Sequence, residues 1–285
     1  MKGNYMIQTA STTIELPEVG LGSTVFWYGN REAERAMARA VDDGLISLID
    51  TAEMYGGGRS EEAVGRVLKE VGRDKVFLVD KILPDNATPS GFKKSLEKSL
   101  RRLGTDHIDL YLLHWRERAD LAFVAEAMTE AVEEGLILKW GVSNFDVSDM
   151  EDLFAVEHGS DCVIDQVLYN LCERGPEYDL FPWLSQHGVH PMSYSSLGSD
   201  MTRTRKTCES CRAIQKISAE TGLTPAAIML AFNTRNHDLC ALFGSSSYEH
   251  IKTNLAGIGT DITPFLEKIN AAFPAPTKKV PLAKI

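Results

Sequence analysis

Short apolar runs rich in Val, Ile and Leu alternate along most of the chain with charged stretches whose apolar positions recur at helical spacing. Strands are predicted at 18–21, 45–49, 76–81, 108–114, 139–142, 163–169, 190–195 and 239–243. Each is short and mostly apolar on both alternations, as expected of a strand covered on both faces. Between them lie REAERAMARAVDDG, SEEAVGRVLKEVG, SGFKKSLEKSLRRLG, LAFVAEAMTEAVEEG, VSDMEDLFAVEHG and EYDLFPWLSQHG. All six have helical periodicity and close on a glycine, which suits the left-handed residue that ends a helix. Ser60 and Ser90 are read as cap positions of two of these helices. The alternation predicts parallel strands joined by crossover helices.

Eight such units in 285 residues fit one closed (β/α)8 TIM barrel, for which about 250 residues is typical. An open, doubly wound sheet is the alternative arrangement of the same units. No Pro-rich or Gly/Ser-rich linker interrupts the series, so residues 1–285 are expected to form a single domain. Residues 12–16 are expected to pair with the segment after them as a short N-terminal β-hairpin closing the bottom of the barrel.

Composition narrows the function classes. A 44% hydrophobic content supplies a large core, and 30 basic against 40 acidic residues give a net charge of −10. Such a surface does not attract nucleic acid or anionic lipid, so neither is expected as a partner. No run reaches membrane-spanning length and the start lacks signal-peptide features, which points to a cytoplasmic protein. Cys162, Cys172, Cys208, Cys211 and Cys240 are too scattered for a disulfide framework and read as reduced thiols. The CESC pair, Cys208 and Cys211, reads as incidental, and no histidines have metal-ligand spacing, so no catalytic metal is expected.

In a parallel barrel, chemistry gathers where strands end at their carboxyl side. Asp50 and Tyr55 follow the second predicted strand, Lys81 ends the third and His114 ends the fourth. Alone, each has a structural explanation: a core histidine, a lysine neutralising Asp80, a tyrosine covering the mouth. Together they place an acid, a base, a phenol and an imidazole on one face. A nearby ammonium lowers the pKa of a phenol, a carboxylate holds that ammonium charged, and an imidazole orients an oxygen taking up negative charge. That set suits protonation of a carbonyl oxygen during hydride transfer.

Several motifs in order resemble the aldo-keto reductase superfamily: DTAEMYGGGRSEEAVG at 50–65, VFLVDKILP at 76–84, SLEKSLRRLGTDHIDLYLLHW at 95–115, WGVSNF at 140–145, DQVLYNL at 165–171 and YSSLG at 194–198. With RGPEYDLFPWLSQ at 174–186, the chain is most similar to bacterial small-aldehyde, methylglyoxal reductase-like members. The resemblance implies a barrel that binds NADP without a Rossmann domain, acts as a monomer and reduces a small-molecule carbonyl compound. It assigns Tyr55 as general acid, Lys81 and Asp50 as its tuning pair, and His114 as the orienting group.

It also implies a cofactor site. Ser143, Asn144 and Gln166 would hold the nicotinamide amide and Tyr194 would stack on the ring, with Asp50, Gly22, Ser23 and Thr24 nearby. Ser195, Ser196, Leu197 and Gly198 continue the site. Phe243, Gly244, Ser245, Ser246, Ser247, His250 and Asn254 would hold the adenosine end. NADPH is favoured because the family mostly uses it, but strongly NADP-preferring members have lysine and arginine where this chain has Gly244 and His250, so NAD or dual use stays open. Trp27 and Trp115, with Tyr55 and His114, would wall the substrate pocket. Arg203, Arg205 and Lys206 are read either as clasping the pyrophosphate or as a solvated turn. The alternative function is a dinucleotide-binding redox sensor with little turnover.

Overall fold

The computed structural model describes residues 4–8, 13–26 and 29–285, with 4–8 and 13–15 described as backbone only. Two strands, β1 (Asn4–Gln8) and β2 (Thr13–Pro17), pair antiparallel ahead of the barrel. Eight parallel strands then follow: β3 (Val19–Gly22), β4 (Leu48–Asp50), β5 (Phe77–Ile82), β6 (Ile108–Leu113), β7 (Ile137–Ser143), β8 (Ile164–Leu168), β9 (His190–Tyr194) and β10 (Cys240–Phe243). They pair in chain order, and β10 closes on β3. This is the closed barrel expected from the alternation, not the open sheet.

Two apolar layers hold it together. Leu48, Val79, Leu110, Leu112, Ile164, Met192 and Leu242 fill the barrel with side chains directed inward, joined by Leu16 from β2. A larger layer lies between the strands and the surrounding helices and includes Met37, Val64, Leu96, Tyr111, Met128 and Phe232. The helix Arg31–Asp42 turns Ala33, Met37, Ala40 and Val41 into that layer. Asn30 caps its start, accepting the Ala33 N–H at 3.0 Å.

The hairpin differs from expectation in its partner. Residues 13–17 pair with the preceding segment, not the following one, because the following segment is β3, whose two edges are taken by β10 and β4. Leu16 is fully buried and so seals the interior from the strands' amino-terminal side. The two serine caps are not formed either. Gly58 and Gly91 stand at the starts of helices Arg59–Val71 and Phe92–Leu103, and Ser60 donates to the Ser23 carbonyl. Among the described residues no helix is long and apolar enough to cross a membrane.

Candidate active site

Each of the four groups sits at a carboxyl-side strand end because strand and helix alternate there. Asp50 ends β4, Lys81 is the penultimate residue of β5 and His114 follows β6 directly. Tyr55 opens a single tight turn, Tyr55–Gly58, that leads into the helix Arg59–Val71. Gly56, Gly57 and Gly58 all have positive φ (61°, 64° and 93°), which a side chain would resist, so the three glycines let the chain reverse immediately after Tyr55.

Lys81 has no exposed surface. Its Nζ donates to both Asp50 carboxylate oxygens at 2.7 Å and to the Thr51 carbonyl at 2.8 Å, so all three of its protons have acceptors. Burial alone would favour loss of the ammonium proton. The Asp50 carboxylate leads the interactions that outweigh it, and the Lys81 pKa is held above the ordinary lysine value. The reading of Lys81 as a partner for Asp80 is resolved by the strand: neighbouring residues face opposite sides. Asp80 points away, into the helix layer, with no hydrogen-bond partner for either oxygen, and burial reinforced by Glu61 drives its pKa well above the carboxylate range.

The Lys81 ammonium lies 5.1 Å from the Tyr55 ring centroid, and the Tyr55 ring meets the His114 ring edge-on at 5.8 Å. Trp115 lies against His114 at 5.0 Å. Burial raises the Tyr55 pKa, Lys81 opposes it, and the net shift is upward. The expectation that Lys81 brings the phenol below its ordinary value therefore fails, because desolvation outweighs the ammonium. The consequence is a phenol that keeps its proton at neutral pH, as a proton donor must. His114 is displaced the other way, to about 3, by burial and by the charge on Lys81.

Hydrogen bonds extend this cluster around the barrel mouth. Gln166 Nε2 donates to Asp50 at 2.8 Å and to the Met192 sulfur at 3.1 Å, and the Ser143 hydroxyl donates to the Gln166 carbonyl at 2.7 Å. Asn144 donates to the His114 carbonyl at 3.1 Å, while its side-chain oxygen accepts the Tyr194 hydroxyl at 2.8 Å. The mouth opens into a cavity of about 1230 Å³. That exceeds the roughly 300–1,000 Å³ of ordinary small-molecule sites, leaving room for an elongated ligand beside a small one.

Between residues 19 and 264 the sequence matches the aldo/keto reductase family. The chain belongs to that family. Methylglyoxal reductase YeaE of Escherichia coli (strain K12) is 36% identical over 278 residues, which cover 95% of this chain and 96% of that protein. An aldo/keto reductase from Klebsiella pneumoniae, crystallised with NADP and acetate, matches with a TM-score of 0.89 at 36% identity, covering 95% of this chain and 96% of that one. A crystal structure of the Klebsiella pneumoniae enzyme with NADPH matches to the same extent.

In this aldo/keto reductase most residues expected at the site line the one cavity. Asp50, Tyr55, His114, Trp115, Ser143, Asn144, Gln166 and Tyr194 form its floor. Gly22 and Thr24 border them from the end of β3, and Ser195, Leu197 and Gly198 follow from β9. Phe243, Gly244, Ser245, Ser246, His250 and Asn254 line the β10 side. Lys81 lies behind Asp50. Three others are turned elsewhere: Ser23 is buried, Ser196 bonds to the Ser193 hydroxyl at 2.8 Å, and Ser247 caps the helix Tyr248–Asn254. Trp27 lies outside the described residues. Of the basic turn, Arg205 lines the cavity and Arg203 and Lys206 do not. Sequence reasoning missed Glu209, Thr224, Pro225, Ala226 and Ile285 on the wall. They come from helices and from the tail, where no strand-end rule points.

The displaced His114 pKa has a measurable sign. With a folded value of about 3 and an unfolded value near 6.5, the unfolded chain binds more protons between those limits. This residue's contribution is therefore complete above about pH 6.5 and is lost as pH falls toward 3. Urea titrations at about pH 7 and pH 4.5 should show a larger loss for the parent than for His114→Gln; equal losses would place the imidazole in water.

Proposed function

We propose that this aldo/keto reductase reduces small aldehydes or ketones to alcohols with NADPH, and that Tyr55 delivers the proton. The observation that carries this reading is the charged, fully bonded Lys81–Asp50 pair set beneath a protonated phenol on the floor of a cavity large enough for a dinucleotide and a carbonyl compound. When bound, the dihydronicotinamide supplies the hydride. The amide and hydroxyl groups of Ser143, Asn144 and Gln166 form a donor and acceptor set suited to a carboxamide beside the phenol.

The chain's own residues do the rest. A carbonyl oxygen seated between Tyr55 and His114 gains negative charge as its carbon is reduced. The neutral imidazole offers that oxygen an N–H, and the phenol offers its proton. Once the proton has left, the phenolate is stabilised by the Lys81 ammonium, and Asp50 keeps that ammonium in place. Trp115 and Met54 supply an apolar wall suited to small carbonyl compounds. The relatives' names and their NADP and NADPH complexes support the same class of substrate and cofactor. We further read residues 1–285 as one domain acting as a monomer in the cytoplasm, consistent with a net charge of −10.

The test is steady oxidation of NADPH with a panel of small aldehydes, repeated with NADH. Turnover with NADPH as the better cofactor is expected. Tight dinucleotide binding without turnover would favour a redox sensor instead. Arg205 is proposed as the cation that faces the dinucleotide phosphates, since it lines the cavity, 3.6 Å from Asp200, and its neighbours do not. Arg205→Ala should weaken NADPH binding about tenfold, the worth of about 1.4 kcal/mol, while Arg203→Ala and Lys206→Ala leave it near the parent value. An equal loss for all three would reduce the role of Arg205 to general surface charge.

A further inference from the structure

The CESC spacing draws attention to Cys208 and Cys211, but a sulfur in contact with that of Cys208 comes from elsewhere in the chain. Cys172, in the segment after β8, lies with its Sγ 3.3 Å from the Sγ of Cys208. Cys208 is fully buried on the helix Thr204–Ser210, whereas Cys172 is partly exposed. We propose that Cys172 and Cys208 are a modification site, a dithiol that a hydroperoxide converts reversibly to a disulfide, and that closing it alters the wall of the dinucleotide cavity.

The geometry demands little movement. A disulfide holds its sulfurs about 2.05 Å apart, so the pair must approach by about 1.3 Å. The two thiols also differ in character. The contact between the two sulfurs, in which either S–H can donate, lowers the Cys172 pKa against its partial burial and the Glu173 carboxylate. The same contact, with burial, raises Cys208. Cys172 is thus the accessible nucleophile and Cys208 the resolving thiol.

The chemistry balances with a hydroperoxide as oxidant. The Cys172 thiolate attacks the terminal peroxide oxygen, an S–O bond forms as the O–O bond breaks, the sulfur is oxidised by two electrons to a sulfenic acid, and the expelled alkoxide or hydroxide takes up the proton lost by the Cys172 thiol and leaves as alcohol or water. The Cys208 sulfur then attacks the sulfenic sulfur. The S–S bond forms, the S–O bond breaks, and the departing hydroxide takes the Cys208 proton as water. A low-molecular-weight thiol reverses the disulfide by exchange.

Both sulfurs are tied to the cavity. The Cys172 N–H bonds to the Asn170 side-chain oxygen at 2.9 Å, and Asn170 Nδ2 bonds to the Ser195 carbonyl at 3.1 Å. Cys208 shares its helix with Arg205 and Glu209, both on the cavity wall. The helix start also packs backbone to backbone on Gly198, where a Cβ would collide with the Arg205 nitrogen, and Thr204 Oγ1 accepts the Ser199 N–H at 2.8 Å. A shift of Cys208 is therefore passed to residues 195–205. This consequence for the cavity rests on the proposed dinucleotide reading; the disulfide itself does not.

The experiment treats the reduced protein with hydrogen peroxide, counts thiols and maps disulfide-linked peptides without reduction. A Cys172–Cys208 peptide pair is expected, with two thiols lost and both regained with dithiothreitol. Cys172→Ser and Cys208→Ala should each abolish the pair, and Cys211→Ser should retain it. Cys172→Ser keeps the test available should the buried Cys208→Ala variant not fold. Oxidation should weaken NADPH binding by about fivefold or more, reversibly. A bridge to Cys211, or sulfinic acid at Cys172 without any bridge, overturns the site. A correct bridge with unchanged NADPH binding overturns the coupling, and reduced protein that binds no NADPH overturns the proposed function while leaving the bridge to stand.

Discussion

Replacing Tyr55 by phenylalanine should lower kcat by about 100- to 10,000-fold, the usual worth of a positioned proton donor. The substitution removes one oxygen and keeps the ring, so the edge-on contact with His114 at 5.8 Å and the wall of the cavity persist. NADPH affinity should therefore stay close to the parent value, which separates loss of proton delivery from loss of the site. Fluorescence titration of NADPH together with steady-state reduction of an aldehyde measures both quantities. Retained reduction in Tyr55→Phe would remove the phenol from the mechanism. Parallel loss of binding and turnover would recast Tyr55 as part of the binding surface.

A comparably large effect, on stability, is expected from breaking the ion pair behind it. Lys81 is fully buried, and both Asp50 carboxylate oxygens accept hydrogen bonds from it. Asp50→Asn leaves the ammonium in the interior without a counter-charge, which costs about 3–5 kcal/mol. Lys81→Met leaves a carboxylate that still accepts from Gln166, and a loss at the lower end of that range is expected. The double variant Asp50→Asn/Lys81→Met removes both charges and should regain most of the stability, since replacing a buried ion pair by uncharged groups is often neutral. Turnover should not return, because the phenolate would then lack its ammonium. Urea unfolding of the four proteins, with activity measured alongside, forms the cycle. Additive losses would mean that the pair is not coupled, and a double variant with restored turnover would deny Lys81 its role beside Tyr55.

The strands were legible because a strand buried on both faces leaves a continuous apolar run, and a helix between strand and solvent leaves a one-sided pattern. Where boundaries differ, tertiary bonds decide. The apolar run at 45–49 becomes a strand only from Leu48, because the Leu45 and Ile46 N–H groups are both drawn to the Ala40 carbonyl at the helix end. Strand periodicity names no partner, so the hairpin's pairing was beyond the sequence. Asp50, Tyr55, Lys81 and His114 were visible because they stand at or just after the ends of apolar runs. Their ionisation was not, since the opposing effects of burial and Lys81 on Tyr55 are set only once the helices cover the barrel. The wall residues Glu209 and Thr224 give no such interruption, and the proximity of Cys172 to Cys208 was hidden behind the shorter CESC spacing.

The seam between β10 and β3 joins Val19 to Ala241, near opposite ends of the described chain. During synthesis the first barrel strand is therefore made long before the neighbour that completes it, and one side of β3 must wait with unpaired backbone groups while the intervening units emerge. Ring closure is thus a late folding event that depends on the most distant contact in the sheet. The early barrel strands are the part of the nascent protein with most to gain from shelter by a chaperone.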